Sequence, residues 1–97
     1  MKAIAKTKRK KGMELINVPT PRIGLRDVLI KVTLASICGT DVHIYDWTHW
    51  ARQRLTPPRV IGHELVGIVE KIGNEVTHVE VGDRVSAESH ISCGHCY

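Results

Sequence analysis

Reactive side chains are concentrated in ASICGTDVHIYDW, residues 35–47, which includes the thiol of Cys38, the hydroxyl of Thr40, two carboxylates and the imidazole of His43. Cys38 precedes a predicted short helix that ends at about Tyr45, and the positive end of a helix dipole favours the thiolate form of cysteine, which binds zinc. Thr40 and His43 are three residues apart, so on this helix their Cβ atoms would lie about 5–6 Å apart on one face. A hydroxyl and an imidazole so placed can pass a proton to solvent. These residues are candidates for a metal and proton-transfer site.

The same residues also fit an ordinary helix start. In that interpretation Thr40 is the N-cap, Asp41 places its charge against the positive end of the helix dipole, and His43 is a partly exposed surface residue. Cys38 would then be a small buried apolar residue, the commonest state of a free cysteine. Spacing alone favours this interpretation for Thr40 and His43, whereas the position of Cys38 before a helix favours a metal ligand.

A second candidate group follows Gly62, where His63 and Glu64 open an apolar segment. Alone, the pair is a weak signal, because a histidine at a strand start commonly bonds the backbone and a glutamate is commonly solvated. Together with Cys38 the pair is more informative. Catalytic zinc takes three protein ligands and keeps one position open for water or substrate, and cysteine, histidine and a carboxylate form a suitable set.

The end of the sequence carries CGHC, in which Cys93 and Cys96 form half of a structural zinc site. A redox dithiol is the rival interpretation, but it usually accompanies a βαβ pattern, which the sequence lacks. A third possibility is a dimer in which two chains supply four thiolates. His90, just before this pair, is either a substrate contact or a surface-loop histidine. Because domains rarely end inside a ligand motif, we expect the chain to be the N-terminal piece of a longer protein.

The elements that would position these residues are mostly strands. The predicted strand segments are MKAIAKT, GMELINV, DVLIKVTLA, HELVGIVEKIG and the end of NEVTHVEVGDRVSAE. DVLIKVTLA alternates, so its apolar residues are predicted to share one face: Val28, Ile30, Val32 and Leu34. THWARQRLTPPR predicts an irregular loop. A single short helix among strands predicts a small, mainly β domain, a partly open barrel.

Composition limits the classes of function. The 97 residues suffice for one small domain, and 42% are apolar with no phenylalanine, so the core must be aliphatic. Six of the fourteen basic residues lie in MKAIAKTKRKK, which we interpret as a solvated hairpin turn and not a nucleic-acid site, because no aromatic residue interleaves with them. No apolar run approaches the roughly 20 residues of a membrane span, and no secretory signal is present. We expect a cytoplasmic protein with no membrane or nucleic-acid partner.

Four motifs in order resemble those of the medium-chain zinc-dependent alcohol dehydrogenase superfamily: ICGTDVH, GHELVGIVEKIGNEV, VGDRV and CGHC. The resemblance covers essentially the whole chain. It implies a GroES-like β domain, which in this family is normally followed by a Rossmann domain that binds the dinucleotide. The chain has no G-x-G-x-x-G motif after a strand, so residues 1–97 are expected to be a truncated GroES-like catalytic domain without the main NAD site.

The resemblance also implies roles for individual residues. Cys38, His63 and Glu64 would bind the catalytic zinc. Asp41 would orient His63 through its other ring nitrogen, as metal-bound histidines generally require. The remaining roles are a proton relay through Thr40 and His43, and the first two of four structural zinc ligands at Cys93 and Cys96.

Within the superfamily, CGTDVHIYDW and AESHISCGHC most resemble the branch that oxidises the 3-hydroxyl of L-threonine with NAD to give L-2-amino-3-oxobutanoate. Polyol dehydrogenases of the sorbitol type are close in the same segments. The resemblance implies a small-molecule substrate, zinc and NAD as cofactors, and a homo-oligomer, a tetramer, for the full-length protein. The 97-residue chain alone is expected to be inactive. The alternative class is a non-enzymatic GroES-like module that binds a partner, which would not require Cys38, His63 and Glu64 to converge.

Overall fold

The computed structural model describes residues 1–90, and strands predominate in it. Its elements in chain order are β1 (Lys2–Lys6), β2 (Glu14–Asn17), β3 (Val28–Ser36), α1 (Gly39–Asp46), α2 (His49–Arg54), β4 (Arg59–Val60), β5 (Glu64–Ile72) and β6 (Arg84–Ser86). The predicted mainly β class is confirmed. Cys93 and Cys96 lie outside the described residues.

The strands form two three-stranded antiparallel sheets, in the orders β2-β1-β4 and β3-β5-β6. The first contains the predicted N-terminal hairpin, with Ala3 opposite Ile16. β4 joins the other side of β1 through Ala5 opposite Val60. Within residues 1–90 the two sheets do not close into a barrel, which agrees with a partly open architecture.

The long ladder between β3 and β5 is interrupted twice. A register shift between Leu29 and Ile30 puts an extra residue on β5, and a second shift between Val32 and Leu34 leaves Thr33 as an extra residue on β3. Such bulges break the two-residue alternation of side chains. The prediction that four apolar residues of β3 share one face is therefore wrong beyond the second bulge, and Val32 and Leu34 are exposed.

A buried apolar cluster joins the two helices and includes Trp47, so the prediction of a purely aliphatic core is wrong here. Ile44 and Trp47 from α1 and its C-cap pack with Ala51 from α2, and Met13 and Ile61 pack partly buried against them. This cluster attaches the helical segment to the first sheet, since Met13 precedes β2 and Ile61 follows β4. The helical segment, which follows β3 of the second sheet directly in the chain, is thereby packed against the first sheet.

The second helix corrects the sequence prediction of an irregular loop. α2 begins because the Thr48 side chain accepts a hydrogen bond from the Ala51 amide at 3.4 Å, which satisfies one of the free donors of the first turn. Ala51 is fully buried, so packing stabilises a helix that local propensity leaves marginal. The two prolines that predicted a loop lie beyond Leu55, where the helix has already ended.

Lys6 is the most buried charged side chain of the described residues, with 1% of its surface exposed. Its ammonium donates to the backbone carbonyls of Lys10, of Gly12 at 2.8 Å and of Tyr45 at 3.2 Å, and it lies 5.0 Å from the centre of the Trp47 ring. Burial lowers the pKa of Lys6, and the nearby Asp46 carboxylate partly opposes that shift. Lys6 thus connects three parts of the fold: β1, the basic turn TKRKKG that follows β1, and the C-terminal end of α1.

In the part of the chain that the structure describes, every helix is too short and too polar to span a bilayer.

Candidate metal centre

The two halves of the candidate site meet at one end of the β3–β5 ladder. The last residue of β3, Ser36, lies opposite the first residue of β5, Glu64. Cys38 follows two residues after Ser36, and His63 immediately precedes Glu64. Antiparallel pairing therefore brings the segment after β3 next to the segment before β5, although the cysteine and the histidine are 25 positions apart in the sequence.

Three potential metal ligands converge at this point. One donor atom each from Cys38, His63 and Glu64 lies within 4.8 Å of the other two; Cys38 and His63 are half-buried and Glu64 is exposed. With zinc bonds of about 2.0–2.3 Å, the donor atoms of a tetrahedral site are about 3.4–3.8 Å from one another. Side-chain rotations that move the donor atoms by about 1 Å would therefore bring them to the separations that a zinc ion requires. The spatial arrangement that the enzyme hypothesis requires is present.

Cys38 is also the N-cap of α1, where the sequence predicted Thr40. Its backbone is extended, with φ −99° and ψ 162°, and its Sγ accepts a hydrogen bond from the Thr40 amide at 3.4 Å. The cap lies two residues earlier than predicted because Gly39 is itself helical. The sulfur atom therefore lies at the N-terminal end of α1, beside the free amides of the first turn.

Asp41 connects the cysteine to the histidine. Its Oδ2 accepts a hydrogen bond from the Cys38 amide at 3.0 Å, which completes a capping box. Its Oδ1 is buried, has no hydrogen-bond partner, and lies 3.8 Å from His63 Nδ1. A buried carboxylate oxygen without a partner is costly, so a small rotation of His63 that lets Nδ1–H donate to it is favourable. That contact would leave Nε2 of His63 free for a metal.

The donor chemistry of this group fits zinc. Thiolate, imidazole and carboxylate are the side chains that zinc binds in proteins. A carboxylate beside the second nitrogen of a histidine is a common arrangement around metal-bound histidines. Cys38, His63 and Glu64 could hold the ion, and Asp41 could orient His63. The assignment of these four roles stays a prediction.

Thr40 and His43 lie on α1, close to one helical turn apart. Thr40 is half-buried beside the cap, whereas His43 is exposed and its ring lies 6.3 Å from the Trp50 ring. The order from a half-buried hydroxyl to an exposed imidazole suits a proton path that leads from the site to solvent. It suits a surface histidine equally, so the relay also stays a prediction.

An open cleft of about 670 Å³ is lined by two of the three donors, His63 and Glu64. Its wall is formed by the ends of β3, β5 and β6, and the polar residues in it are Ser36, His63, Glu64, Ser86, Glu88 and Ser89. A cleft beside a potential metal site gives a small molecule access to it.

His90 lies in the exposed segment after β6. Its Nδ1 lies 2.6 Å from Glu88 Oε1, and the same carboxylate oxygen accepts from the His90 amide at 3.1 Å. Hydrogen bonds from His90 lower the pKa of Glu88, which lines the cleft. His90 thus lies close to the cleft while 91% of its side chain is exposed, and a substrate contact by His90 stays a prediction.

Two cleft residues escaped the sequence analysis, Ser36 and Glu88. Ser36 lies inside the reactive stretch, but a serine near a strand end has no distinctive pattern, and only the β3–β5 register shows that it faces Glu64. Glu88 lies two residues before His90, and a carboxylate this close in sequence to a candidate histidine is the pattern from which Glu88 could have been identified.

Comparison with known proteins identifies consistent relatives. The family described as the alcohol dehydrogenase GroES-like domain matches residues 24–97. The L-threonine 3-dehydrogenase of Yersinia enterocolitica is 52% identical over 96 residues, which cover 99% of this chain and 28% of that protein. This chain therefore spans less than a third of the length of that relative.

Solved structures of dehydrogenases resemble this chain over its whole length. Zinc dependent alcohol dehydrogenase 2 from Streptococcus pneumonia matches with a TM-score of 0.83 and 31% identity over 100% of this chain and 27% of that one. A short chain alcohol dehydrogenase from E. coli CFT073, complexed with NADH, matches with a TM-score of 0.79 and 40% identity over 100% of this chain and 27% of that one. The predicted family resemblance and the mainly β, GroES-like fold are confirmed.

Proposed function

Because this chain belongs to the zinc-dependent alcohol dehydrogenase family through its GroES-like domain, we propose that it forms the N-terminal part of the catalytic domain of an L-threonine 3-dehydrogenase. The complete enzyme would oxidise the 3-hydroxyl of L-threonine with NAD and yield L-2-amino-3-oxobutanoate. The convergence of Cys38, His63 and Glu64 within 4.8 Å carries the enzymatic part of this proposal. The 52% identity to a relative of that name supports the choice of substrate.

The chain's own residues would prepare the metal centre. Cys38 supplies a thiolate from the N-cap of α1, and Asp41 keeps that cap closed through the Cys38 amide. The free oxygen of Asp41 orients His63, and Glu64 adds a carboxylate from the start of β5. Zinc, when bound, supplies a Lewis acid that lowers the pKa of a hydroxyl, as it lowers that of water to about 7.

The proton released from the substrate hydroxyl needs a route to water. Thr40 lies next to Cys38 on the first turn of α1, and its hydroxyl can accept that proton while it donates its own. His43, one turn later and exposed, can take the proton from Thr40 and release it to solvent. His90, beside the cleft, would contact the substrate.

The remaining parts of the proposed enzyme lie outside residues 1–97. The chain spans 28% of the Yersinia relative, so a Rossmann domain with the NAD site would follow it. Cys93 and Cys96 would join two later cysteines in a structural zinc site. The complete protein would assemble as a homo-oligomer, a tetramer, and the 97-residue chain alone would be inactive.

The test is Cys38→Ser in the complete protein. Serine is a good N-cap, so the helix should be retained while the thiolate is lost. We expect one zinc equivalent per chain to be lost and L-threonine-dependent NAD reduction to fall by at least about 100-fold, while the far-UV circular dichroism spectrum of the folded protein is retained. Normal zinc content with normal turnover would refute the ligand assignment. If the wild-type enzyme oxidised sorbitol in preference to L-threonine, the proposed metal centre would stand and the proposed substrate would be wrong.

A further inference from the structure

Glu64 makes a hydrogen bond across the sheet that the proposed reaction does not require. Ser36 Oγ donates to Glu64 Oε2 at 2.5 Å. An O–H group that donates to a carboxylate belongs to the strong class of hydrogen bonds. Glu64 therefore contacts Ser36 while it also lies within 4.8 Å of the potential co-ligands Cys38 and His63.

The bulge in β3 creates this contact. Before the bulge, Val32 lies opposite Gly67, and if that register continued, Glu64 would face Ala35. The extra residue Thr33 shifts the pairing by one, so Ser36 faces Glu64 instead.

The shift is held by a specific contact. Thr33 Oγ donates to the Val66 carbonyl at 3.1 Å, and this bond anchors the bulge next to the shifted pairs. The meeting of Ser36 with Glu64 is therefore a consequence of the ladder geometry and does not depend on the rotamers of two exposed side chains alone.

A carboxylate offers two oxygens, and Ser36 occupies one of them. A glutamate near a chain surface otherwise samples many rotamers, and fixing it on a metal costs conformational entropy. A bond to one oxygen removes part of that freedom before the metal arrives. Carboxylates that bind metals are commonly held in this manner by a neighbouring donor.

We propose that Ser36 is a positioning residue for the metal centre: it holds one oxygen of Glu64 across the β3–β5 ladder and thereby presents the other oxygen to the ion bound by Cys38 and His63. This inference rests on the proposed function, since it requires a metal at that centre. It adds a residue that neither the motifs nor the three-donor cluster contain.

A purely structural role for the pair would have a different signature. If the bond only stabilised the sheet end, its removal would lower the unfolding free energy equally with and without metal. If the hydrogen bond from Ser36 positions Glu64, removal of that bond must weaken metal binding. The weakening must occur only in proteins whose Glu64 carboxylate can still bind the metal. The effect of Ser36 must therefore disappear when Glu64 is neutralised.

The experiment measures zinc affinity of the complete protein by competition with a chromophoric chelator, for the zinc equivalent that Cys38→Ser removes. Ser36→Ala should weaken this affinity by about 10-fold or more, the range found for partners of metal ligands. Ser36→Thr, which keeps a hydroxyl, should restore it to within about 3-fold. In a Glu64→Gln background, Ser36→Ala should change the affinity no further.

A matched control is Ser86→Ala. Ser86 lines the same cleft, but its hydroxyl donates to the Leu65 carbonyl at 3.0 Å, so zinc affinity should not change. The inference is overturned if Ser36→Ala binds zinc as tightly as wild type, or if its effect persists fully beside Glu64→Gln. Cys38→Ser separates the two levels: unaltered zinc binding there refutes the proposed function, whereas zinc loss there with normal binding in Ser36→Ala refutes only the role of Ser36.

Discussion

At the scale of single residues, the two buried charged side chains of the described segment differ in how they are satisfied. Lys6 has 1% of its surface exposed, but its ammonium donates to three backbone carbonyls, so every contact it makes serves the fold. Asp41 is 8% exposed, yet one of its oxygens lacks a partner beside His63. Buried polar groups in native proteins are nearly always bonded, so an exception indicates a place where a group is held ready for another task.

Lys6→Met should destabilise the protein. The substitution keeps the length of the side chain but leaves the carbonyls of Gly12 and Tyr45 without their charged donor, and it removes the contact of the cation with the Trp47 ring. We expect a loss of about 2 kcal/mol in the free energy of unfolding near pH 7, measured by urea denaturation. Lys8→Met is the control: Lys8 is exposed and only 3.9 Å from Glu14, so the change should stay below about 0.5 kcal/mol.

The pH dependence of the Lys6 effect follows from its pKa. Burial lowers the pKa of Lys6 below its usual 10.5, so the folded protein loses this proton at a lower pH than the unfolded chain. Between the two values the unfolded state binds more protons, and the contribution of Lys6 to stability rises with pH. The difference between wild type and Lys6→Met should therefore be larger at about pH 10 than at about pH 7. A difference that shrinks over this range would contradict the assigned direction of the shift.

At the scale of elements, the β3–β5 ladder positions the site, and the glycine inside it is a steric requirement. A Cβ atom on Gly67 would overlap the Lys31 carbonyl and the Ile30 side chain, so the strands could not keep their separation next to the bulge. Gly67 is part of the motif on which the family resemblance rested. Its physical reason is close strand approach, since its backbone does not require a positive φ.

Gly67→Ala should therefore push β3 away from β5. We expect a loss of about 1–3 kcal/mol in the free energy of unfolding, by chemical denaturation, because a methyl group would be forced against backbone. Gly39→Ala tests the specificity of this effect, since a Cβ there meets nothing within 4 Å and the residue has no positive φ. Gly39→Ala should leave stability unchanged or slightly higher. Equal stability of both variants would show that the ladder tolerates the wider spacing.

The sequence predicted five of the six strands and the first helix, but it missed β4 and the register that joins the strands. DVLIKVTLA alternates regularly, and nothing in its composition indicates that Thr33 is left out of the pairing. α2 was missed for a different reason, because Ala51 becomes fully buried only when Ile44 and Trp47 pack on it, which is a tertiary effect. Local patterns therefore identified the elements, whereas the contacts that set the site depend on long-range pairing.

At the scale of the whole molecule, the described domain leaves much apolar surface uncovered. The chain exposes 7920 Å², whereas a compact protein of 10.9 kDa exposes about 5600 Å². Its radius of gyration is 15.2 Å, compared with about 12.5 Å for a compact chain of this length. Leu34 and Ile37, next to the candidate site, are 71% and 81% exposed. These values support the proposal that further polypeptide completes the catalytic domain.

The sequence singled out the candidate ligands and the family resemblance implied that they share one metal, but neither showed how the fold brings them together. The spacing of the motifs singled out Cys38, His63 and Glu64, since their residue types match zinc chemistry. That the three donors lie within 4.8 Å follows from the pairing of Ser36 with Glu64, which only the structure shows.

A crystal structure of the zinc-loaded complete protein, with anomalous scattering at the zinc edge, tests the central claim most directly. We predict a zinc ion about 2.3 Å from Cys38 Sγ and about 2.0–2.1 Å from His63 Nε2. His63 Nδ1 should lie within about 3 Å of Asp41 Oδ1. Zinc bound only at other residues, with Cys38 and His63 remaining apart, would contradict the account.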